Sequence, residues 1–565
     1  MSPDVALALA HVLLPDAPIA AAKCLESALA FTLAPMVEAH LRLRLARITL
    51  SASALEGDEN VTTVLRSLER CVLLLATSTS VEGRMLACEV HATLAECHLR
   101  LGNAPASLLA LSRGAEASVA ARCTLPASHL WTQWLIHFML RQAAAFAAGG
   151  DARFAADAIA RASAAAAKDE GFDTSVCDLA RAHFSLLTHD CVDVASVTCV
   201  TLSSHFVVLR VLASIQAGNY AAAASEASKL TALRGTSLTS HEPPQLMYEL
   251  PPQAFAAFAS LLSVACERSS SGVRALETRA RLNDVLHSID AELSRPAYRT
   301  PLLCLKFCCL DQLARSLLGS TQLAAAGKVA AQAVSLVADF PQEVLPLAAA
   351  AASLSAAYCS ATHELLAAVK HSDDAIRIAL STEGRGSPCN GPAMHRMVAH
   401  KALALLAHDA AGSVGAANEV LDAGGYREGE VPAVCEMVEG LLALRRNNRA
   451  EEAKRSLTRA IKRAHSELRS HEVVSVSMTG VAAVTLASGD AAQAKDICTS
   501  AFTLSKADGD LASQINSLAV LARCHAVLGD EQNRREMEKY ASKKRRALDA
   551  AIVDARTSPH HQMLL

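Results

Sequence analysis

The chain has 565 residues, of which 52% are hydrophobic and only 4% aromatic, and its formal net charge is −3. Abundant alanine, leucine and valine with few aromatic residues favour helices packed through small side chains over a β-sandwich. The near-neutral net charge argues against a strong overall electrostatic attraction to nucleic acid or membranes. The longest uncharged runs lack the leucine-rich character of a bilayer-spanning helix. The N-terminus also lacks the basic region of a secretory signal, so we expect a soluble intracellular protein.

The first 34 residues predict one or two helices interrupted by prolines. Further along, the stretch CEVHATLAECHLRLGN at 88–103 has the pattern of the first helix of a tetratricopeptide (TPR) unit. Leu94 and Ala95 form its large–small pair, His98 follows three residues after Ala95, and Gly102-Asn103 form the turn. The small residue lets the second helix lie close, while the large residues fill the space between hairpins.

Copies of this pattern recur along most of the chain, clearest near both ends, and predict an all-α, TPR-like α-solenoid. We expect a right-handed superhelix of about twelve helical hairpins and no sheet. The predicted segments are N-terminal helices at 1–34, an N-terminal TPR-like array at 35–234, a proline-containing insertion or loop at 235–252, a C-terminal TPR-like array with basic last helices at 253–556, and a flexible tail at 557–565.

No motif in the sequence predicts catalysis. The glycines of the loop EGRGSPCNGP at 383–392 lack the preceding strand and the lysine of a phosphate-binding loop. Cys304, Cys308 and Cys309 could direct thiols along one helix face, but no second pair or nearby histidine completes a zinc site. The 17 scattered cysteines are interpreted as reduced core residues. We therefore expect no catalytic residue, no cofactor and no metal.

Basic residues are concentrated at 445–469 and 534–546. The simplest interpretation is a solvated outer helix face. A phosphate-contacting surface or a nuclear localisation signal is the alternative, and the residues concerned are Lys543, Lys544, Arg545 and Arg546. Few aromatic residues accompany them, which disfavours recognition of single-stranded bases.

A TPR-like solenoid binds partners in the groove lined by the first helix of each hairpin. One extended partner segment lying in that groove can bury a large area, which offsets the entropy lost when it becomes ordered. The alternative is that polar groove residues only solvate the concave face. The partner-binding candidates are Arg47, Glu96, Arg100, Leu212 and Arg523.

Several motifs, taken in order, resemble one family. They are VEAHLRLRLARITL at 37–50, VVLRVLASIQAGNY at 207–220, LPPQAF at 250–255, VEGLLAL at 438–444, NRAEEAKRSLTRAI at 448–461 and VTLASGD at 484–490. Their order, with a proline-containing insertion midway, resembles the TPR subunit of the cohesin loading complex, the partner of Nipped-B. The low aromatic content departs from that family and leaves the anchor pockets for a partner unidentified.

The resemblance implies a superhelix without catalytic activity that wraps the extended N-terminal segment of a large, HEAT-repeat, Nipped-B-like subunit. Such a complex would load cohesin onto chromatin in the nucleus and support sister-chromatid cohesion; contact with cohesin and DNA would be indirect or weak, and some protein could be cytoplasmic. No membrane or small-molecule substrate is implied.

A different TPR adaptor, such as a co-chaperone or a cell-cycle complex subunit, is the alternative function. Co-chaperones that grip a carboxylate need lysine and asparagine on successive first helices. Here the corresponding positions are Glu89, Ala92 and Glu96, which argue against such a clamp.

Overall fold

The computed structural model of the chain is a series of helices in eighteen described ranges. The described residues are 3–13, 17–52, 58–126, 128–148, 151–169, 174–187, 200–216, 219–233, 252–266, 272–293, 299–341, 344, 347–381, 392–408, 412–422, 433–445, 449–465 and 471–565. Except for its last residue, Pro252, the predicted insertion lies outside these ranges. The glycine-containing loop at 383–392 likewise lies outside them except for Pro392.

The N-terminal half of the described chain contains thirteen helices. They are α1 (Pro3–Leu13), α2 (Pro18–Leu29), α3 (Pro35–Ala52), α4 (Asp58–Leu75), α5 (Val81–Arg100), α6 (Ala104–Thr124), α7 (Ser128–Ala148), α8 (Ala152–Ala167), α9 (Ser175–Leu187), α10 (Val200–Gln216), α11 (Tyr220–Leu233), α12 (Pro252–Cys266) and α13 (Gly272–Glu292).

The C-terminal half contains thirteen more. They are α14 (Arg299–Gly319), α15 (Leu323–Asp339), α16 (Ala348–Ala361), α17 (Leu365–Ser381), α18 (Pro392–His408), α19 (Ser413–Asp422), α20 (Ala433–Arg445), α21 (Ala450–Arg463), α22 (His471–Ala487), α23 (Ala491–Asp508), α24 (Leu511–Val527), α25 (Glu531–Thr557) and α26 (Pro559–Gln562).

These helices form one continuous stack of hairpins. In the part of the chain that the structure describes, each helix packs on the next and twelve hairpins result, with α9 and α26 outside the pairs. First helices of successive hairpins also contact each other, as α3 contacts α5 and α22 contacts α24. No strand occurs in the described ranges. The predicted all-α, TPR-like solenoid is therefore confirmed, while its right-handed sense stays a prediction.

The motif at 88–103 packs as its pattern indicated. Leu94 and Ala95 are buried, with 6% and 4% of their surface exposed, and His98 is half-buried. The Ser107 hydroxyl of α6 donates a hydrogen bond to the Ala95 carbonyl at 2.8 Å. Close approach of the second helix thus depends on a small residue in the first.

A glycine followed by Asn or Asp closes several hairpins. Gly102, Gly489 and Gly529 have φ values of 70°, 95° and 75°, a left-handed conformation that glycine adopts without a Cβ clash. The residue after each glycine caps the next helix. Asp490, for example, accepts a hydrogen bond from the Gln493 amide at 2.9 Å. The glycine therefore provides the backbone conformation of the turn, and the Asn or Asp that follows it caps the next helix.

Two turns use other residues in the left-handed region. Thr321 after α14 and His363 after α16 have φ values of 58° and 62°. The Thr321 hydroxyl accepts a hydrogen bond from the Leu511 amide at 3.1 Å and lies 3.4 Å from the Gly509 carbonyl, to which it donates. The α14–α15 turn thus contacts the α23–α24 turn, so the stack curves back on itself.

The prediction of a flexible tail at 557–565 is wrong. Ser558 caps the short helix α26, His561 and Leu564 are buried at 3% and 1% exposure, and both lie against α16. Leu564 belongs to the same apolar cluster as Leu354 and Phe307. Burial of this leucine in the central hairpins provides a stabilisation that the local sequence does not reveal.

Candidate partner-binding surface

The predicted groove residues lie in different hairpins. Arg47 is on α3, Glu96 on α5 and Arg523 on α24, and all three are exposed. Arg100 is the last residue of α5, and its side chain lies outside the described part. The structure thus brings Arg47 and Glu96 onto neighbouring first helices and places Arg523 in the last hairpin.

Arg47 is held by an ion pair between its own helix and the next first helix. Its Nη1 atom lies 2.9 Å from Oε2 of Glu89, and the two side chains are 42% and 29% exposed. Ion pairs this exposed contribute about 0–1 kcal/mol to stability. The pair therefore orients the Arg47 side chain on the surface and contributes little to the stability of the fold.

A second set of paired charges lies on a different face of α3. Glu38 Oε1 accepts a hydrogen bond from Arg42 at 2.9 Å and lies 3.5 Å from Arg70 Nε of α4. Glu38 and Arg42 precede Arg47 by nine and five residues, which is about 180° and about 140° around the helix. These charges therefore connect α3 to α4 and do not belong to the surface around Arg47.

Leu212, the apolar candidate, has a different location. It is half-buried and packs against the cluster formed by α10, α11 and α12, which includes Val208, Ala227 and Leu262. This location favours a packing role inside the hairpin. The proposed groove contact at this position would use only its exposed edge.

The basic residues at 543–546 lie on the long helix α25. Lys543, Arg545 and Arg546 are exposed and Lys544 is half-buried. With 3.6 residues per turn, Arg535, Lys539, Lys543 and Arg546 fall within about 80° of arc along about 17 Å of the helix. All of these four are exposed, so α25 presents one straight row of cations.

The second basic concentration, on α21, is partly structural. Glu436 of α20 is buried at 5% exposure, and its Oε1 lies 3.3 Å from Arg459 Nε and 3.8 Å from Arg463 Nη1. A buried carboxylate without cations would be costly. These two arginines therefore neutralise a core charge, which separates them from the exposed row on α25.

The cysteines considered as metal ligands belong to the core. Burial raises the pKa of both Cys308 and Cys309 to about 12, so these thiols are protonated at neutral pH. Within the described ranges, no group of three or more His, Cys, Asp or Glu residues has the arrangement to hold a metal. The described helices also include none that is both long and apolar enough to cross a bilayer.

Sequence reasoning missed a cavity of about 540 Å³ between α13, α14, α15 and the C-terminal segment. Leu310 and Leu336 form part of its wall, and Lys306 on one side pairs with Asp290 at 2.7 Å. Met563 contributes from the C-terminal segment. No signal in the sequence indicated it, because its walls come from segments more than 200 residues apart in the chain.

Comparisons with known proteins give one local sequence match. No protein-family model matches the chain. The chain is similar to the sister chromatid cohesion protein SCC4 of Arabidopsis thaliana, with 29% identity over 122 residues. The matched residues make up 22% of this chain and 17% of SCC4, so the similarity spans a small part of that relative.

Solved structures similar to most of the stack at low identity include three examples. These are the APC/C hetero-tetramer Cut9–Hcn1 (TM-score 0.43, 12% identity, 96% of each chain covered), the human IFIT1 dimer with PPP-AAAA (0.35, 13%, 85% of this chain and 94% of that one) and yeast Tom70 (0.33, 12%, 89% and 94%). Because these TM-scores are low, no functional conclusion is drawn from them.

Proposed function

We propose that this chain is a non-catalytic scaffold subunit of a cohesin loading complex. In this proposal it wraps the extended N-terminal segment of a large HEAT-repeat subunit and supports cohesin loading and sister-chromatid cohesion. Its contact with cohesin is indirect, through that subunit, and it works at chromatin in the nucleus.

The observation that supports the proposal most directly is the 29% identity over 122 residues with a sister chromatid cohesion protein. The stack of twelve hairpins supports it physically, because successive first helices offer one continuous surface to a long segment. Arg47 and Glu96, exposed on neighbouring first helices, offer charges of both signs to such a segment.

Affinity purification of the full chain from the cells that naturally express it, followed by mass spectrometry, tests this function. We expect a HEAT-repeat loader subunit and cohesin subunits to be recovered together. Recovery of chaperones or of another TPR-dependent complex without cohesin subunits would overturn the proposal.

The groove is tested by reversing charges on the two neighbouring first helices. Arg47→Glu with Glu96→Lys should weaken capture of the partner segment at least about tenfold, while the exposed Arg47–Glu89 pair contributes too little for the fold to be lost. The matched control is Arg161→Glu on the second helix α8, where an exposed ion pair with Asp157 at 3.0 Å is lost instead. Equal binding by both variants would remove Arg47 and Glu96 from the interface.

A further variant distinguishes the loss of a contact with the partner from the loss of the Arg47–Glu89 ion pair within the chain. Arg47→Glu combined with Glu89→Arg restores an ion pair of reversed polarity between α3 and α5. If Arg47 contacts the partner, the double variant still binds weakly. Full recovery would mean that the pair acts only within the chain.

For the basic helix we propose contact with phosphates or a role in nuclear import, and the two are separated by one variant. Replacing Lys543, Lys544, Arg545 and Arg546 by alanine should lower the salt slope of duplex-DNA binding by about 3–4 if all contact phosphates. Loss of nuclear accumulation with an unchanged slope would assign them to import. No change in either property would leave them as a solvated face.

A further inference from the structure

Among the described residues, the most extensive contact between hairpins far apart in sequence involves residues 548–565, which we call the C-terminal strap. It comprises the last part of α25 and α26, and it lies across the turns of the hairpins α14–α15 and α16–α17. At one end Ile552 and Ala555 pack on Leu323, and Leu318 and Ala361 border this small apolar cluster. This contact holds the last helix of the stack against its middle.

The polar anchor of the strap is Arg556. Its Nε and Nη2 atoms donate to the Thr362 carbonyl at 3.1 and 2.8 Å, and Nη2 lies 2.9 Å from the Glu364 carboxylate. Thr362 is the C-terminal cap of α16, where carbonyls have no partner within the helix. Arg556 therefore caps α16 from a distant part of the chain, in the orientation that the helix dipole favours.

The other end of the strap is inserted among side chains of α16. His561 Nδ1 lies 3.2 Å from the Tyr358 hydroxyl, and the two rings meet edge to face at 5.7 Å. The Cys359 thiol donates to the Leu564 carbonyl at 3.2 Å. Leu564 itself is 1% exposed in the apolar cluster of the central hairpins.

Much of the strap nevertheless remains exposed. Val553 and Met563 are 61% and 55% exposed, and Arg556 keeps 41% of its side chain in solvent. His560 and Met563 only border the cavity of about 540 Å³, so the strap does not fill this cavity. Opening the strap alone costs less free energy than global unfolding, because only four of its 18 residues are buried. These four are Ile552, Ala555, His561 and Leu564.

We propose that the C-terminal strap is a reversible closing device of the superhelix. When closed, it fixes the C-terminal hairpins against the α14–α15 and α16–α17 turns. When open, it frees those hairpins and uncovers Tyr358 together with the apolar cluster around Leu354 that Leu564 covers. This inference depends on the fold and is independent of the proposed role in cohesin loading.

Hydrogen exchange followed by mass spectrometry on the full chain tests the device. In the wild type, residues 558–565 should exchange faster than the buried helix α22 and slower than the same sequence as a free peptide. Leu564→Asp should accelerate exchange there at least about tenfold, because a buried leucine is replaced by a charge. Val553→Asp, an exposed position on the same strap, should change nothing.

A peptide added in trans tests whether opening the strap uncovers the surface of α15 and α16 that the strap covers. The labelled peptide LDAAIVDARTSPHHQMLL, the sequence of 548–565, should bind full-length Leu564→Asp at least about tenfold more tightly than the wild type, in which the strap competes. A peptide with Arg556→Ala should bind less tightly. Equal binding to both chains, binding to neither, or strap exchange in the wild type only at the rate of α22 would each overturn the proposal.

Discussion

Leu457 of α21 is wedged between glycines on two neighbouring first helices, and this predicts that Gly440→Ala lowers stability. A Cβ at Gly440 would lie 2.5 Å from Leu457 Cγ and 3.2 Å from its backbone nitrogen. Leu457 cannot move away freely, because its Cδ1 atom already packs against Gly480 of α22. A Cβ added to Gly480 would lie 2.8 Å from that atom. Leu457 is also fully buried.

The magnitude follows from two opposing terms. Alanine gains about 1 kcal/mol over glycine in a helix interior, whereas overpacking a rigid core costs about 1–3 kcal/mol. The clash involves a branch atom and the backbone, so overpacking prevails, and we expect a net loss of about 0–2 kcal/mol, toward the upper end of that range. Gly415→Ala on α19 is the matched control, since nothing lies within 4 Å of its Cβ position. That variant should be neutral or up to about 1 kcal/mol more stable.

Hydrogen exchange of α20–α22, together with urea unfolding followed by circular dichroism, measures both variants. Long hairpin arrays do not always unfold in one step, so local exchange is the primary readout. Combining Gly440→Ala with Leu457→Ala should cost less than the sum of the single changes, because the smaller side chain removes the clash. A Gly440→Ala chain as stable as Gly415→Ala would refute the wedge.

Three further predictions concern contacts between hairpins. Thr321→Gly should speed exchange of the Leu511 amide about two- to tenfold, because a hydrogen bond worth about 0.5–1.5 kcal/mol is lost. Arg279→Met should lower the free energy of unfolding by about 1–3 kcal/mol in urea, since the buried Arg279 donates to the hydroxyl and carbonyl of Ser316 at 3.0 and 2.7 Å. Lowering the pH through about 6.5 should loosen the C-terminal strap in exchange measurements corrected for intrinsic rates, and His561→Gln should abolish this dependence.

The sign of the pH effect comes from the surroundings of His561. Burial lowers its pKa below the usual value, the Glu364 carboxylate opposes this shift, and Arg556 adds to it. The Tyr358 hydroxyl is its neutral hydrogen-bond partner. A base with a depressed pKa in the closed state binds protons better when open, so stability is present above about pH 6.5 and is lost as the pH falls. Identical exchange at pH 7.5 and 5.5 would contradict this reasoning.

Local physical chemistry made the repeating part of the fold predictable. Leu94 and Ala95 act at the contact between two helices of one hairpin, and Gly102 has the backbone conformation that its turn requires. Each of these roles depends on neighbours a few residues away. The pattern therefore indicated helix positions, turns and the number of hairpins.

Contacts between distant hairpins were not predictable in this way. The sequence of 557–565 has no helical period, and its burial depends on Tyr358 and Cys359, about 200 residues earlier. Thr321 likewise occupies a turn position where the pattern expects glycine, because its hydroxyl contacts the α23–α24 turn. On the candidate surface, the pattern located Arg47 and Glu96 on exposed faces but not the pairing of Arg47 with Glu89.

Because Tyr358 and the C-terminal strap are far apart in the sequence, the contact between them forms late during synthesis. Tyr358 leaves the ribosome 203 residues before His561, which at about 5–20 residues per second corresponds to a delay of about 10–40 s. Throughout that interval the central hairpins lack the contacts that Leu564 provides, and their apolar edge is exposed to chaperones or to a co-translationally arriving subunit. Assembly with a partner before the chain is complete would meet a different surface from assembly afterwards.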